Sequence, residues 1–206
     1  MPILHYIYDP LCGWCYGAGP LLAAARHVSG LAIHLHGGGL MTGVPVTPAL
    51  REYVMQHDQR IAMMTGVPFG SAYFDGLLED HTAILSSLPP ITAILAAEEV
   101  AGRGLDMLQR LQMAHYVEGR QIGSEPVLLA LSLSIGLPEE AFRATFARLT
   151  GAETAAHVAS GRMLLEKHGG RGFPAFVLDT DSGNKLLDAG RWLNDPEGFA
   201  AHLATT

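Results

Sequence analysis

The stretch Asp9-Pro10-Leu11-Cys12-Gly13-Trp14-Cys15-Tyr16-Gly17 decides the fold, because it holds both cysteines of the chain at the seam between two elements. Before it, Ile3-Leu4-His5-Tyr6-Ile7-Tyr8 is β-branched and aromatic and reads as a strand. After it, the small and apolar run from Ala18 through Leu21 and Leu22 to Arg26 reads as a helix. The pair therefore sits where a strand ends and a helix begins. Unpaired N–H groups at a helix start favour negative charge, here a thiolate on Cys12. Cys15 follows three positions on, one turn inside the helix and on the same side, within reach of a disulfide formed at Cys12. Taken alone, such a pair serves redox exchange or forms half of a metal site.

Outward from this stretch, Leu31-Ala32-Ile33-His34-Leu35-His36 alternates and reads as a second strand. It is ended by Gly37-Gly38-Gly39 and followed by a turn-rich connection over 41–48. Thr47 as N-cap with Pro48 in the first turn predicts a helix to about Met64. Residues 68–88 predict short helical pieces, and Pro89-Pro90 opens an apolar helix stopped by Gly102 and Gly104. Further helices begin at Leu105, at Ser124-Glu125-Pro126, at Leu137-Pro138 and after Gly151, the last ending near Gly169-Gly170. The whole span 47–168 reads as helical. Strand character returns at Phe176-Val177-Leu178-Asp179 and, after a turn at 181–184, at Lys185-Leu186-Leu187-Asp188, which together read as a hairpin. Asn194-Asp195-Pro196 caps a terminal helix. The layout is an α/β chain: β-α-β, a large all-helical insertion, then β-β-α. The divisions fall at 1–46, 47–168 and 169–206.

Of 206 residues, 49% are hydrophobic and 16% charged, enough apolar content for a substantial core. The formal net charge of −7, with no local Lys/Arg cluster, argues against nucleic acid or an anionic membrane as partner. The apolar runs are too short to span a bilayer. Met1-Pro2 leads straight into the strand without a basic and apolar leader, so a cytoplasmic protein is expected. In a reducing compartment two lone cysteines suit catalysis better than a structural staple. A structural zinc needs four ligands, and no second cysteine pair exists, so no metal is expected.

Layout and motif together resemble the thioredoxin fold with a helical insertion, as in the DsbA family, and within it the cytoplasmic FrnE-like protein-disulfide isomerases. The residues that carry the resemblance are Asp9 to Gly17, Ser124-Glu125-Pro126-Val127-Leu128 with Gly136-Leu137-Pro138, and Gly172-Phe173-Pro174-Ala175-Phe176-Val177. The resemblance implies a thiol–disulfide oxidoreductase or isomerase, with Cys12 as nucleophile and Cys15 as resolving thiol. It implies a cis Phe173–Pro174 bond beside the pair, which leaves the Phe173 backbone free to receive a substrate strand. Trp14, Phe173 and Pro174 are the expected substrate-binding residues. Protein or peptide disulfides and thiols are the implied partners, with no bound cofactor and with glutathione or another thiol as electron partner; monomer and homodimer both stay open.

Two departures from the family matter. Strongly oxidising relatives often carry a His between the cysteines, whereas Gly13-Trp14 adds no cation and Asp9 nearby opposes a thiolate. A couple less oxidising than periplasmic DsbA is expected. The first strand also lacks the buried acid that many thioredoxin-like proteins use as proton acceptor, leaving His5 or water for Cys15. Two other functions share the layout's logic. Kappa-class glutathione transferases and 2-hydroxychromene-2-carboxylate isomerases have this inserted architecture, but with Ser in place of the pair. A chaperone whose insertion binds partners is the other. The remaining histidines are expected on strand or helix surfaces, and Met55, Met63, Met64, Met107 and Met113 in the core.

Overall fold

The computed structural model describes residues 1–181 and 183–205. A four-stranded sheet forms its centre, in the order β2 (Ala32–Gly37), β1 (Ile3–Tyr8), β5 (Ala175–Thr180), β6 (Gly183–Leu187). β1 runs parallel to β2, with His5 opposite His34, and antiparallel to β5, with Tyr6 opposite Phe176. β5 and β6 form the expected hairpin, with Thr180 opposite Gly183, so the second strand begins two residues earlier than expected; Ser182, expected in the turn, lies outside the described residues.

Both faces of β1 are covered, which explains its near-continuous apolar run. Leu4, Tyr6 and Tyr8 point to one side with Phe176 and Leu178, where they meet α1 (Gly13–Gly17), α2 (Gly19–Ala25) and α9 (Pro196–Ala204). The Phe176 and Phe199 rings stand edge to face at 5.4 Å. Ile7, Ala175 and Val177 point to the other side and pack on Leu165 of α8 (Ala152–Lys167). Each such large side chain stabilises the fold by about 1.5–3 kcal/mol relative to exposure.

Between β2 and β5 lie α3 (Pro48–Thr65), α4 (Leu88–Ala101), α5 (Gly104–Tyr116), α6 (Glu125–Ser134), α7 (Glu139–Leu149) and α8. α4 is apolar nearly all round because it is the central helix, touched by α5, α6, α7 and α8. The span 47–168, expected to be wholly helical, contains one exception, strand β4 (Ile84–Ser86), which pairs antiparallel with β3 (Thr42–Pro45), a segment read as a turn-rich connection. A three-residue strand shows no alternation of its own; only its distant partner defines it. The helical pieces expected over 68–88 are a π-turn at Ala72–Gly76 and a 3₁₀ turn at Leu77–Glu79. Of the methionines expected in the core, Met107 is fully buried, but Met63, Met64 and Met113 are exposed, since α3 is peripheral and α5 amphipathic. Among the described residues, no helix is long and apolar enough to cross a membrane.

Imidazoles line the seam between β2 and α8. His5 Nδ1 and His36 Nε2 share a hydrogen bond of 2.9 Å, the His157 ring stacks on His36, and the Gly37 N–H donates to His157 Nε2 at 2.9 Å. The expectation of surface histidines fails for His157, which is half-buried here, and for His115 of α5, which is buried. Burial holds His5, His36 and His157 below the ordinary imidazole value, His36 at about 4, and burial holds His115 at about 4 as well. The fold therefore prefers these rings neutral. Their contribution is complete above about pH 6.5 and is lost as the pH falls toward about 4. For fully buried His115 alone the loss is about 3 kcal/mol. Denaturant midpoints should fall between pH 7 and pH 4.5, and His115→Gln should flatten that slope; parallel slopes in the two proteins would contradict the assignment.

Candidate active site

β1 ends at Tyr8, and the next residue, Asp9, is wholly buried. The Leu11 N–H and the Ser87 hydroxyl donate to Asp9 Oδ1 at 2.9 and 2.8 Å, and the Leu40 N–H donates to Oδ2 at 2.6 Å. Burial pushes this carboxyl up, while the donors work against that shift. Asp9 is thus an acceptor hub that ties the end of β1 to the loop after β2 and to the start of α4.

The anchored turn delivers Cys12 as the N-cap of α1, in extended conformation at φ −96° and ψ 113°. Its Sγ accepts the Cys15 N–H at 3.4 Å, the place a capping oxygen takes in other helices. Cys12 is 8% exposed and Cys15 is 0% exposed. Cys15 Sγ accepts the Asp9 N–H at 3.4 Å, and the Tyr6 hydroxyl donates to the Cys15 carbonyl at 3.1 Å. Burial first, and the neighbouring Cys12 sulfur second, push the Cys15 thiol well above its ordinary value. Both sulfurs are free thiols here. The arrangement is asymmetric: Cys12 lines a cavity with its sulfur facing an N–H, while Cys15 is sealed and held protonated.

The Phe173–Pro174 bond is cis. The Cys12 thiol donates to the Phe173 carbonyl at 3.6 Å, so β5 meets the cysteine turn across 161 positions of chain. Phe173 is half-buried, its ring lying where a side chain on Gly38 would be: a Cβ there would stand 2.1 Å from Phe173 Cζ. Arg162 of α8 fixes that loop by donating to the Gly38 and Gly39 carbonyls at 2.7 and 2.6 Å.

Two cavities flank the cysteines, and half-buried Trp14 lines both. The outer groove, about 390 Å³, runs along Phe173 and Pro174 to Arg171, Leu187 and Asp188. The inner one, about 150 Å³, is walled by Cys12 and by Tyr53, Asp58, Tyr73 and Tyr116. The geometry thus gathers all five residues expected at the site, Cys12, Trp14, Cys15, Phe173 and Pro174. His5 does not join them. Strand alternation turns it to the face opposite Tyr6, toward His36 and Asp179, away from Cys15.

Asp58 was missed. It stands on α3 with Val54 and Ile61, at i−4 and i+3, so an acid on an apolar stripe was the available signal. Its Oδ2 accepts the Tyr73 hydroxyl at 2.8 Å. Its Oδ1 lies 2.2 Å from where a Gly13 Cβ would stand, so glycine between the cysteines is what lets α3 approach. Burial raises its carboxyl to about 6, against the Tyr73 hydrogen bond that lowers it. Among the described residues, no group of three or more His, Cys, Asp or Glu side chains is arranged to hold a metal.

Fold and site define a thioredoxin-like disulfide oxidoreductase. The chain belongs to the DSBA-like thioredoxin domain family, whose model matches residues 3–202. It is similar to the cytosolic disulfide reductase DsbM from Pseudomonas aeruginosa, at 54% identity and a TM-score of 0.94 over 98% of this chain and 97% of that one. A second structure of that protein, with GSH, matches at 52% identity and a TM-score of 0.93, covering 98% of each chain. A Nitrosomonas europaea chain provisionally described as a protein disulfide isomerase matches at 25% identity and a TM-score of 0.82, over 99% of this chain and 96% of that one. A 2-hydroxychromene-2-carboxylate isomerase shares the fold at 14% identity and a TM-score of 0.58, with 98% of each chain covered. No curated protein matches the chain.

Proposed function

We propose that this protein is a cytoplasmic disulfide reductase that draws its electrons from glutathione. The observation that carries the reading is the asymmetry of the pair, with Cys12 Sγ at the rim between an N–H donor and the Phe173 carbonyl and Cys15 Sγ sealed behind it. The Cys12 thiolate attacks one sulfur of a substrate disulfide, and the other sulfur leaves as a thiolate that takes up a proton. Cys15 then loses its proton and attacks Cys12 Sγ, which releases the second substrate thiol and leaves Cys12–Cys15 oxidised. Two glutathione molecules restore the dithiol in succession, the first forming a mixed disulfide and the second leaving with it as glutathione disulfide.

Support for glutathione comes from the outer groove. Arg171 and Asp188 stand at its edge and Trp14, Phe173 and Pro174 at its centre, suiting a small peptide that carries both carboxylates and an amine. The similar P. aeruginosa chain has been solved with GSH and is described as cytosolic. In this reading, Trp14, Phe173 and Pro174 contact the substrate, and the helical insertion over 47–168 walls the inner side of the site.

A glutathione-coupled assay on a model disulfide, with oxidised glutathione recycled by an added reductase and NADPH, tests the proposal. Steady consumption of NADPH that requires both cysteines is expected. Absence of turnover, or turnover that persists in the double serine variant, would overturn it.

A further inference from the structure

We propose that Asp58, which α3 presses against Gly13 and which lines the inner cavity together with Cys12, is a positioning residue that keeps the dithiol strongly reducing by opposing the Cys12 thiolate. The inference rests on the reading of Cys12–Cys15 as the redox pair and adds what sets its direction.

The geometry is specific. Asp58 Oδ1 faces Gly13, the residue that follows Cys12, at a distance that excludes even a methyl group from Gly13. Its other oxygen is held by the Tyr73 hydroxyl, which fixes the carboxyl in place. Among the described residues, neither Arg nor Lys lines this cavity. The titratable groups that face it are Tyr53 and His57 of α3 itself, Tyr73 of the π-turn, His115 and Tyr116 of α5, and Cys12. Burial keeps Tyr73, Tyr116 and His115 neutral at physiological pH. Only exposed His57 attracts the carboxylate.

A thiolate exists only in the reduced form, since the disulfide carries no charge. A carboxylate beside it therefore penalises the reduced state alone and makes the pair a better electron donor. The coupling is reciprocal, so reduction of the pair raises the Asp58 carboxyl in turn. Because burial brings that carboxyl to about 6, the penalty is present above this pH and fades below it.

Asp58→Asn removes the charge and keeps the shape. Equilibration of each protein with reduced and oxidised glutathione at pH 7.5 should show the variant holding its dithiol about tenfold more firmly, equivalent to about 30 mV. At pH 5 the two proteins should converge, which a purely structural disturbance would not produce. Tyr73→Phe, which keeps the charge but removes the donor, should move the pH of convergence upward; it also serves if the asparagine variant does not fold. Equal equilibrium constants at pH 7.5, or a difference independent of pH, would overturn the role of Asp58 while leaving the redox pair intact. Failure of the unaltered protein to exchange with glutathione at all would overturn the reading of the pair itself.

Discussion

Cys12→Ser is expected to bring disulfide turnover to background, while Cys15→Ser is expected to stop after half a cycle with the substrate attached through Cys12. The difference follows from the two environments. Cys12 Sγ is the sulfur at the rim, with the Cys15 N–H pointing at it, so it is the one that a disulfide can approach. Cys15 is fully buried and its thiol is held protonated, so it reacts only when a mixed disulfide forms beside it. Losing the nucleophile removes the covalent path and should lower the rate at least about 10³-fold, as loss of a nucleophile does elsewhere. Mass spectrometry after mixing with oxidised glutathione separates the roles: one glutathione on Cys15→Ser, none on Cys12→Ser. The opposite pattern would exchange the roles assigned here.

Asp9→Ala is expected to be the most damaging single change to the fold near the site. Three donors converge on this carboxylate, the Leu11 and Leu40 N–H groups and the Ser87 hydroxyl, and the side chain is wholly buried. Alanine leaves all three without a partner where water has poor access, and each buried orphan costs about 1–3 kcal/mol. A total of about 3–5 kcal/mol is expected, a large share of a typical domain's stability. Asparagine should lose roughly half as much, because one amide oxygen still accepts while its NH₂ opposes a donor. Activity should fall as well, since Leu40 lines the inner cavity and Leu11 precedes Cys12. Urea denaturation at pH 7 measures the effect, and a loss below about 1 kcal/mol would refute the hub.

The frame of the fold was legible in the sequence because its signals are local. The β-branched run Ile3–Tyr8, the cysteines at its end and the proline opening β5 each announce themselves within a few residues. What escaped depends on partners far along the chain. Thr42–Pro45 becomes a strand only because Ile84–Ser86 reaches it. Asp9 looked like a charge near a thiolate until Leu40 and Ser87 closed on it from 31 and 78 positions away. Asp58 sits on an otherwise ordinary helix, and only the crossing of α3 over Gly13 brings it to the cysteines. His5 was a plausible proton acceptor by sequence distance, but strand alternation turned it to the other face.

The equilibrium reduction potential of Cys12–Cys15 against glutathione tests the central claim most directly. A disulfide reductase whose thiolate is opposed by a buried acid should poise at or below about −220 mV, toward the thioredoxin value of about −270 mV. A potential near about −120 mV, that of a DsbA-type oxidant, would contradict the account.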